Sequence, residues 1–347
     1  MTSLVLRAIG KVRRLSKKAW LNFRLFFIIN ALRQKRKALH TPQGTRELIG
    51  IALIERMGDI AASEPIARHV RQLHPDAHIL WLVRPTFREL VEHHPDLDGI
   101  LLMSVLGEVI RLDRASVFDR LYMLHLEEQI CPCFLDVVRK PDLPCITTRD
   151  YYHHGTLLEV FSQRSGLGKI STSPQLHIPD STKKRVDTLD LPTDCMVFNC
   201  SSAEGLRDWP PDRFAELASR ISSEMGHPVV EVGSQSMLKK SFCTHYIDLC
   251  GRLSILESAE VIARARLFVG IDSGPAHLAH SVGTPAVILL GHLDVYKQYM
   301  PYCGRYSDPN IARIIRAEGH VNELSVNQVF AEIKGHPALQ RASEYTK

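Results

Sequence analysis

At 347 residues the chain is longer than one ordinary domain, and its apolar content is enough for two cores. The net charge of +5 is unevenly placed: residues 1–46 hold twelve Lys or Arg and no acid, which leaves 31 basic against 38 acidic residues in the rest. A mildly acidic body argues against nucleic acid as a partner. The eight cysteines include no Cys-x-x-Cys and no metal-ligand spacing, and Cys131-Pro-Cys133 is too short a loop for a disulfide of ordinary geometry, so free thiols in a reducing cytosol are expected.

The basic segment contains "AWLNFRLFFIINAL" (Ala19–Leu32) between "KVRRLSKK" and "RQKRK". This apolar run is too short to span a bilayer, which takes roughly twenty residues, and it includes Arg24. A signal peptide would need a small-residue cleavage site, and "RQKRKALH" stands there instead. Two readings stay open: an amphipathic helix lying on an anionic membrane surface, or a basic helix packed on the protein's own acidic body.

After this arm, "LIGIALI" predicts a strand, "EPIARHVRQLHP" a helix with Pro65 in its first turn and Ser63 as a cap, and "AHILWLV" a second strand. Such a βαβ unit implies a parallel sheet with a right-handed crossover. "GILLMSV" and "DRLYMLHL" extend the sheet. Residues 127–150 show no period and predict no element. "HGTLLEVFSQRSGLG" returns to helix, and "STSPQLHIPDSTKKRVDTLDLPTD" has the composition of a linker.

The second half repeats the alternation. "CMVFNCSS", "HPVVEVGS", "IDLCG", "RLFVGI" and "PAVILLG" read as strands, and "PPDRFAELASRISSEMG" as a helix. Ser254 with Glu257, and Ser325 with Gln328, are capping boxes that open two further helices. Two α/β domains in tandem are expected to leave a cleft between the carboxyl ends of their sheets, where ligands bind.

Three loops at those ends could carry chemistry. "GIDSGPAHLAHSVGTPAVILLG" (270–291) ends a strand at Asp272 and starts a helix with Ser273 and Gly274, whose backbone N–H groups suit a diphosphate. Asp272 would accept from sugar hydroxyls, and His277 in the first turn could donate to a phosphate oxygen; equally, Asp272 could cap the helix and His277 simply pack. In the loop Met57-Gly58-Asp59 the carboxylate could act as a general base or cap its own helix. Ser201, Ser202 and Arg207 offer hydroxyls and a fixed positive charge to a phosphate. Neither Gly-x-Gly-x-x-Gly nor a Walker sequence occurs, and Asp96-Leu-Asp98 reads as a turn, not a metal site.

These segments resemble glycosyltransferase family 9, the heptosyltransferase group. The Asp272–His277 run with "LAHSVGTPAVILLG" is similar to the family's donor motif, "MGDIAASEPIARHVRQLHPDAHILWLV" to its opening segment, and "RDWPPDRFAELASRI" to its Lys-x-Trp-Pro stretch. The likeness covers residues 48–125 and 154–335. It implies the two-domain GT-B fold and metal-free, inverting sugar transfer from a nucleotide donor. Asp59 would be the base, Ser273 and Gly274 the diphosphate cradle, and Asp272 a donor-sugar contact. Arg207 stands where the family commonly has lysine, and the family's ribose-binding acid has no counterpart in "SQSMLKK".

The expected organisation is a membrane-associating segment over 1–46, an acceptor domain over 47–178, a donor domain over 179–335 and a tail over 336–347. The expected partners are a nucleotide-sugar donor, a lipid-linked saccharide acceptor such as lipopolysaccharide core, and an anionic membrane surface on the cytoplasmic side. No cofactor is expected. The rival readings are a sugar-nucleotide epimerase or hydrolase, and a non-catalytic relative of the same fold.

Overall fold

The computed structural model describes residues 2–42, 44–202, 205, 207–238, 245–291 and 299–340, with side chains described from Lys18 onward. A long helix α1 (Thr2–Leu39) and a short hairpin, β1 (His40–Thr41) with β2 (Gly44–Thr45), lead into the first of two parallel sheets.

That first sheet is built from β3 (Leu48–Ala52), β4 (His78–Val83), β5 (Gly99–Leu102) and β6 (Arg120–Met123), in the order β5-β4-β3-β6. The chain steps outward from β3 to β5, then returns to place β6 on the far side of β3. The connections are α2 (Met57–Ala62), α3 (Pro65–Leu73) and α4 (Leu106–Arg114), and α5 (Leu157–Arg164) follows. The central strand β3 is buried throughout, as a strand covered on both faces must be.

The second sheet has the order β12-β11-β10-β7-β8-β9, again all parallel. Its strands are β7 (Met196–Asn199), β8 (Val229–Glu231), β9 (Tyr246–Asp248), β10 (Leu267–Ile271), β11 (Ala286–Leu290) and β12 (Ala312–Arg316). Helices α7 (Pro211–Met225), α8 (Ile255–Ala263), α9 (Gly274–Val282) and α10 (Val326–Lys334) accompany it. The expected capping boxes are present: Ser254 accepts from the Glu257 N–H at the start of α8, and Ser325 from the Gln328 N–H at the start of α10. In each sheet the winding reverses beside the first strand. The resulting crevices, β3/β6 and β7/β10, are where such folds bind ligands.

Several expectations need correcting. The stretch read as a linker contains helix α6 (Asp180–Asp187), held to the second domain by Val186 in its core and by ion pairs from Arg264 to Asp187 and Arg185 to Glu257. Ser63 does not cap α3. It closes α2 instead, its hydroxyl donating back to the Asp59 carbonyl (2.7 Å), because only the turn Ser63-Glu64 separates α2 from α3 and Glu64 takes the cap position. Residues 336–340, read as tail, carry the buried His336 and the short helix α11 (Pro337–Gln340); residues 341–347 lie outside the described residues.

Helix α1 packs Leu21, Leu25 and Leu32 on the first domain and turns Trp20, Phe23, Phe26 and Phe27 outward. Arg24 pairs with the buried Glu108 (2.7 Å) and Arg36 with Asp119 (2.7 Å). Among the described residues no helix is long and apolar enough to cross a membrane.

Candidate active site

The two domains meet where α2 packs on α9, and one hydrophobic core runs through both. Beside this contact lies a cavity of about 740 Å³, within the range for ligand pockets. Its walls include Met57, Gly58 and Asp59 from the first domain and Asn199, Arg207 and Ser273 from the second.

Asp59 is the third residue of α2. One carboxylate oxygen accepts the Arg56 N–H (3.1 Å), so the side chain caps its own helix while lining the cavity. Burial, with the neighbouring Glu55 charge, raises its pKa to about 7. The capping hydrogen bond and the charges of Arg207 and Arg56 pull the other way and lose. At neutral pH this carboxylate is therefore poised to take a proton, the property a general base requires.

The opposite wall is built at the β7/β10 crevice. Asn199 ends β7 and is buried. Its Oδ1 accepts from the Ser273 hydroxyl (2.7 Å) and its Nδ2 donates to the Val232 carbonyl (3.0 Å). Ser273 occupies the cap position of α9, but with its hydroxyl turned to Asn199 it makes no capping bond to the helix. Pro275 has no N–H to offer. The amides of Ser273 and Gly274 thus begin a helix whose own side chains leave its end open to an anion.

Asp272, just before this turn, is only 2% exposed, and both its oxygens are engaged. Arg207 Nη1 donates to one (3.0 Å) and the Tyr302 hydroxyl to the other (3.0 Å). Burial raises its pKa, with Arg207 the main opposing influence. This carboxylate fixes a guanidinium on the cavity wall. The sequence suggested a contact to sugar hydroxyls for Asp272, and the structure gives its oxygens protein partners.

His277 is buried against Tyr302, and burial together with the Arg207 charge lowers its pKa to about 3. It is neutral at physiological pH and can offer a phosphate one N–H but no charge. The interdomain contact explains two glycines. A Cβ on Gly58 would stand 2.6 Å from the His277 ring, and one on Gly274 would stand 2.6 Å from Met57 Sδ. Gly274 therefore makes room for Met57. Ser201 and Ser202 line the same cavity; the Ser202 N–H donates to Asp208 (2.7 Å) and its hydroxyl accepts from the Gly205 N–H (3.2 Å).

All the candidate residues from both domains thus line one cavity. Asn199 and Tyr302 escaped the sequence reading. A polar residue closing the apolar strand "MVFN" was the available signal for Asn199; nothing local marks Tyr302. Among the described residues two other clusters have metal-ligand character, Glu64 with His94 and His177, and Glu231 with Asp248 and Cys250. Neither lines the cavity, and their glutamates are saturated by protein donors. Arg68, His94 and the Gln175 N–H hold Glu64; Tyr246, Ser236 and two backbone N–H groups hold Glu231.

Comparison with known proteins supplies the family. The model of glycosyltransferase family 9 (heptosyltransferase) matches residues 155–305. Lipopolysaccharide heptosyltransferase 3 of Escherichia coli is 44% identical over 281 residues, covering 68% of this chain and 81% of that protein. The chain belongs to glycosyltransferase family 9. It is a glycosyltransferase of the GT-B fold, in a family of lipopolysaccharide biosynthesis. The family 9 glycosyltransferase of Veillonella parvula superposes with a TM-score of 0.66 at 18% identity, covering 85% of this chain and 98% of that one. The iron-containing heptosyltransferase TibC of enterotoxigenic E. coli, solved with ADP-D-β-D-heptose, gives a TM-score of 0.56 at 15% identity over 85% of this chain and 77% of its own.

Proposed function

We propose that this enzyme transfers a heptose or related sugar from a nucleotide donor to a lipid-linked saccharide such as lipopolysaccharide core, with inversion and without a metal ion. Similarity to a protein solved with ADP-D-β-D-heptose favours ADP as the nucleotide. One observation carries the reading: a carboxylate with a pKa of about 7 shares a cavity with the open start of α9 and a fixed arginine from the other domain.

Asp59 removes the proton from an acceptor hydroxyl as that oxygen attacks the anomeric carbon. The bond from that carbon to the diphosphate breaks on the opposite face, inverting the centre. Negative charge then grows on the leaving diphosphate, where Arg207 and the Ser273 and Gly274 amides stabilise it. A metal in the same role would need side chains free to ligate it. Among the described residues the acids lining the cavity are Asp59 and Asp272, from opposite domains, and Asp272 is committed to Arg207 and Tyr302.

The exposed aromatics of α1 and the basic charge of residues 1–46 support a peripheral site of action, on the cytoplasmic face of an anionic membrane where lipid-linked acceptors lie. The packing of α1 accommodates both sequence readings, one face on the protein body and the other free for lipid.

Calorimetric titration of ADP, GDP and UDP in EDTA tests the donor site. ADP is expected to bind under these conditions. Binding that appears only after Mg²⁺ or Mn²⁺ is added would refute the metal-free cradle.

A further inference from the structure

Residues 127–150, aperiodic in sequence, are organised by side chains and two isolated bridges, Glu127 with Thr147 and Ile130 with Val137. At the tip a tight turn forms: the Cys131 N–H donates to the Asp136 carbonyl and the Leu135 N–H to the Cys131 carbonyl, both at 2.8 Å. Asp136 fastens the turn to α4 through Arg111 (2.8 Å) and Arg114 (2.7 Å). Phe134 points inward, into a cluster with Leu21 of α1 and Cys131. It fits there because position 107 on α4 is glycine; a Cβ would stand 2.3 Å from its ring. Arg111 lies over the Phe134 ring at 3.9 Å and also donates to Asn22 of α1 (2.7 Å). The turn is thus rigidly joined to both α4 and α1.

What this construction presents to solvent is apolar. Leu135 is 77% exposed and Ile130 59%. Leu135 also has φ near 59°, a left-handed conformation that side chains with a Cβ rarely adopt. Among the described residues, six of the seven exposed large apolar side chains lie on α1 and this turn: Trp20, Phe23, Phe26, Phe27, Ile130 and Leu135. The exposed acid Glu128 stands beside them, against Lys18, Arg33, Lys35 and Lys37 exposed on α1. The acids that pack against this region, Glu108, Asp119 and Asp136, are already paired with arginines. Exposed apolar side chains on a helix that also exposes cations match a bilayer with anionic headgroups.

We propose that the turn at Ile130–Leu135 is a second membrane-inserting element, which together with the aromatic face of α1 seats the enzyme on an anionic phospholipid bilayer. This rests on the peripheral reading of α1 given above and extends it to a segment 90 residues and more away in sequence. Two points of insertion, on elements braced by Phe134, would fix the orientation of the enzyme on the surface where a single helix would leave it free to roll.

The test uses the full chain and vesicles of phosphatidylethanolamine with phosphatidylglycerol. The double variant Ile130→Ser, Leu135→Ser is compared with Phe23→Ser, Phe26→Ser by sedimentation. Each pair is expected to lower the partition coefficient by about tenfold or more, as the loss of two buried apolar side chains predicts. Thermal midpoints should be unchanged, since all four side chains are exposed. If the turn variant partitions like wild type while the helix variant is lost from vesicles, the second element is refuted and the helix reading stands. If wild type itself stays in solution, both fail. Wild type that is dimeric in sedimentation velocity, becomes monomeric in the turn variant and ignores vesicles would show that a second copy covers this face, which also overturns the proposal.

Discussion

Asp59 and Asp272 come from opposite domains, Asp59 after the first strand of its sheet, β3, and Asp272 after β10, the strand added on the other side of the switch point in its own. Each lies at the carboxyl edge of its sheet, in or beside the strand-to-helix turn at the point where the winding reverses, and each lines the same cavity. Their environments differ. Asp272 receives a guanidinium and a phenol; Asp59 receives one backbone N–H, with the Glu55 charge nearby. A buried carboxylate with strong donors is a fixed anchor, and one that lacks them keeps an affinity for protons near neutrality. The same residue type beside a switch point can thus be held as an anchor or left able to take a proton, and its partners decide which.

The largest effect should come from replacing Asp59, the proposed base. Asp59→Asn keeps the shape and the capping acceptor, so donor affinity should hold while turnover falls by roughly 10²–10⁴-fold in a single-turnover assay. Equal losses in donor affinity and turnover would make Asp59 a binding residue instead, and erase the contrast with Asp272.

Asp272→Asn should act on binding. It weakens a charge-assisted hydrogen bond worth about 1.5–3 kcal/mol and loosens Arg207, so donor affinity should fall by roughly 10–100-fold in calorimetry. Unchanged affinity would show that Arg207 needs no anchor to serve the diphosphate.

The smallest effect is on stability and depends on pH. Because folding raises the Asp59 pKa from 3.8 to about 7, ionisation favours the unfolded chain progressively as pH rises between those values. Whatever stability the protonated carboxyl affords is present below pH 3.8 and gone once pH passes about 7. Asp59→Asn escapes this loss, so its thermal midpoint should exceed that of wild type at pH 8 and converge with it towards pH 4. Parallel curves across that range would mean Asp59 keeps an ordinary pKa.

Much of this arrangement could be read from the chain. Alternating apolar runs and amphipathic stretches gave the two α/β units, and the acids and small residues after β3 and β10 marked the switch-point loops. The capping boxes at Ser254 and Ser325 are local chemistry and survive any tertiary context. Partners set by folding were not legible. Tyr302 reaches Asp272 from thirty residues away, and Asn199 meets Ser273 across two strands. Helix α6 was obscured by polar composition, since Val186 is its one buried residue. Residues 127–150 have no period because ion pairs and a wedged Phe134, not a repeating apolar face, hold them in place.

The claim that Asp59 is the base is tested most directly by the pH dependence of kcat/KM with a soluble acceptor. The rate is expected to rise with pH and level off above an inflection near 7, where the Asp59 carboxyl ionises. That inflection should be absent from the residual rate of Asp59→Asn. An inflection that persists in the variant, or a wild-type profile already flat from pH 5 upward, would assign the proton transfer to another group.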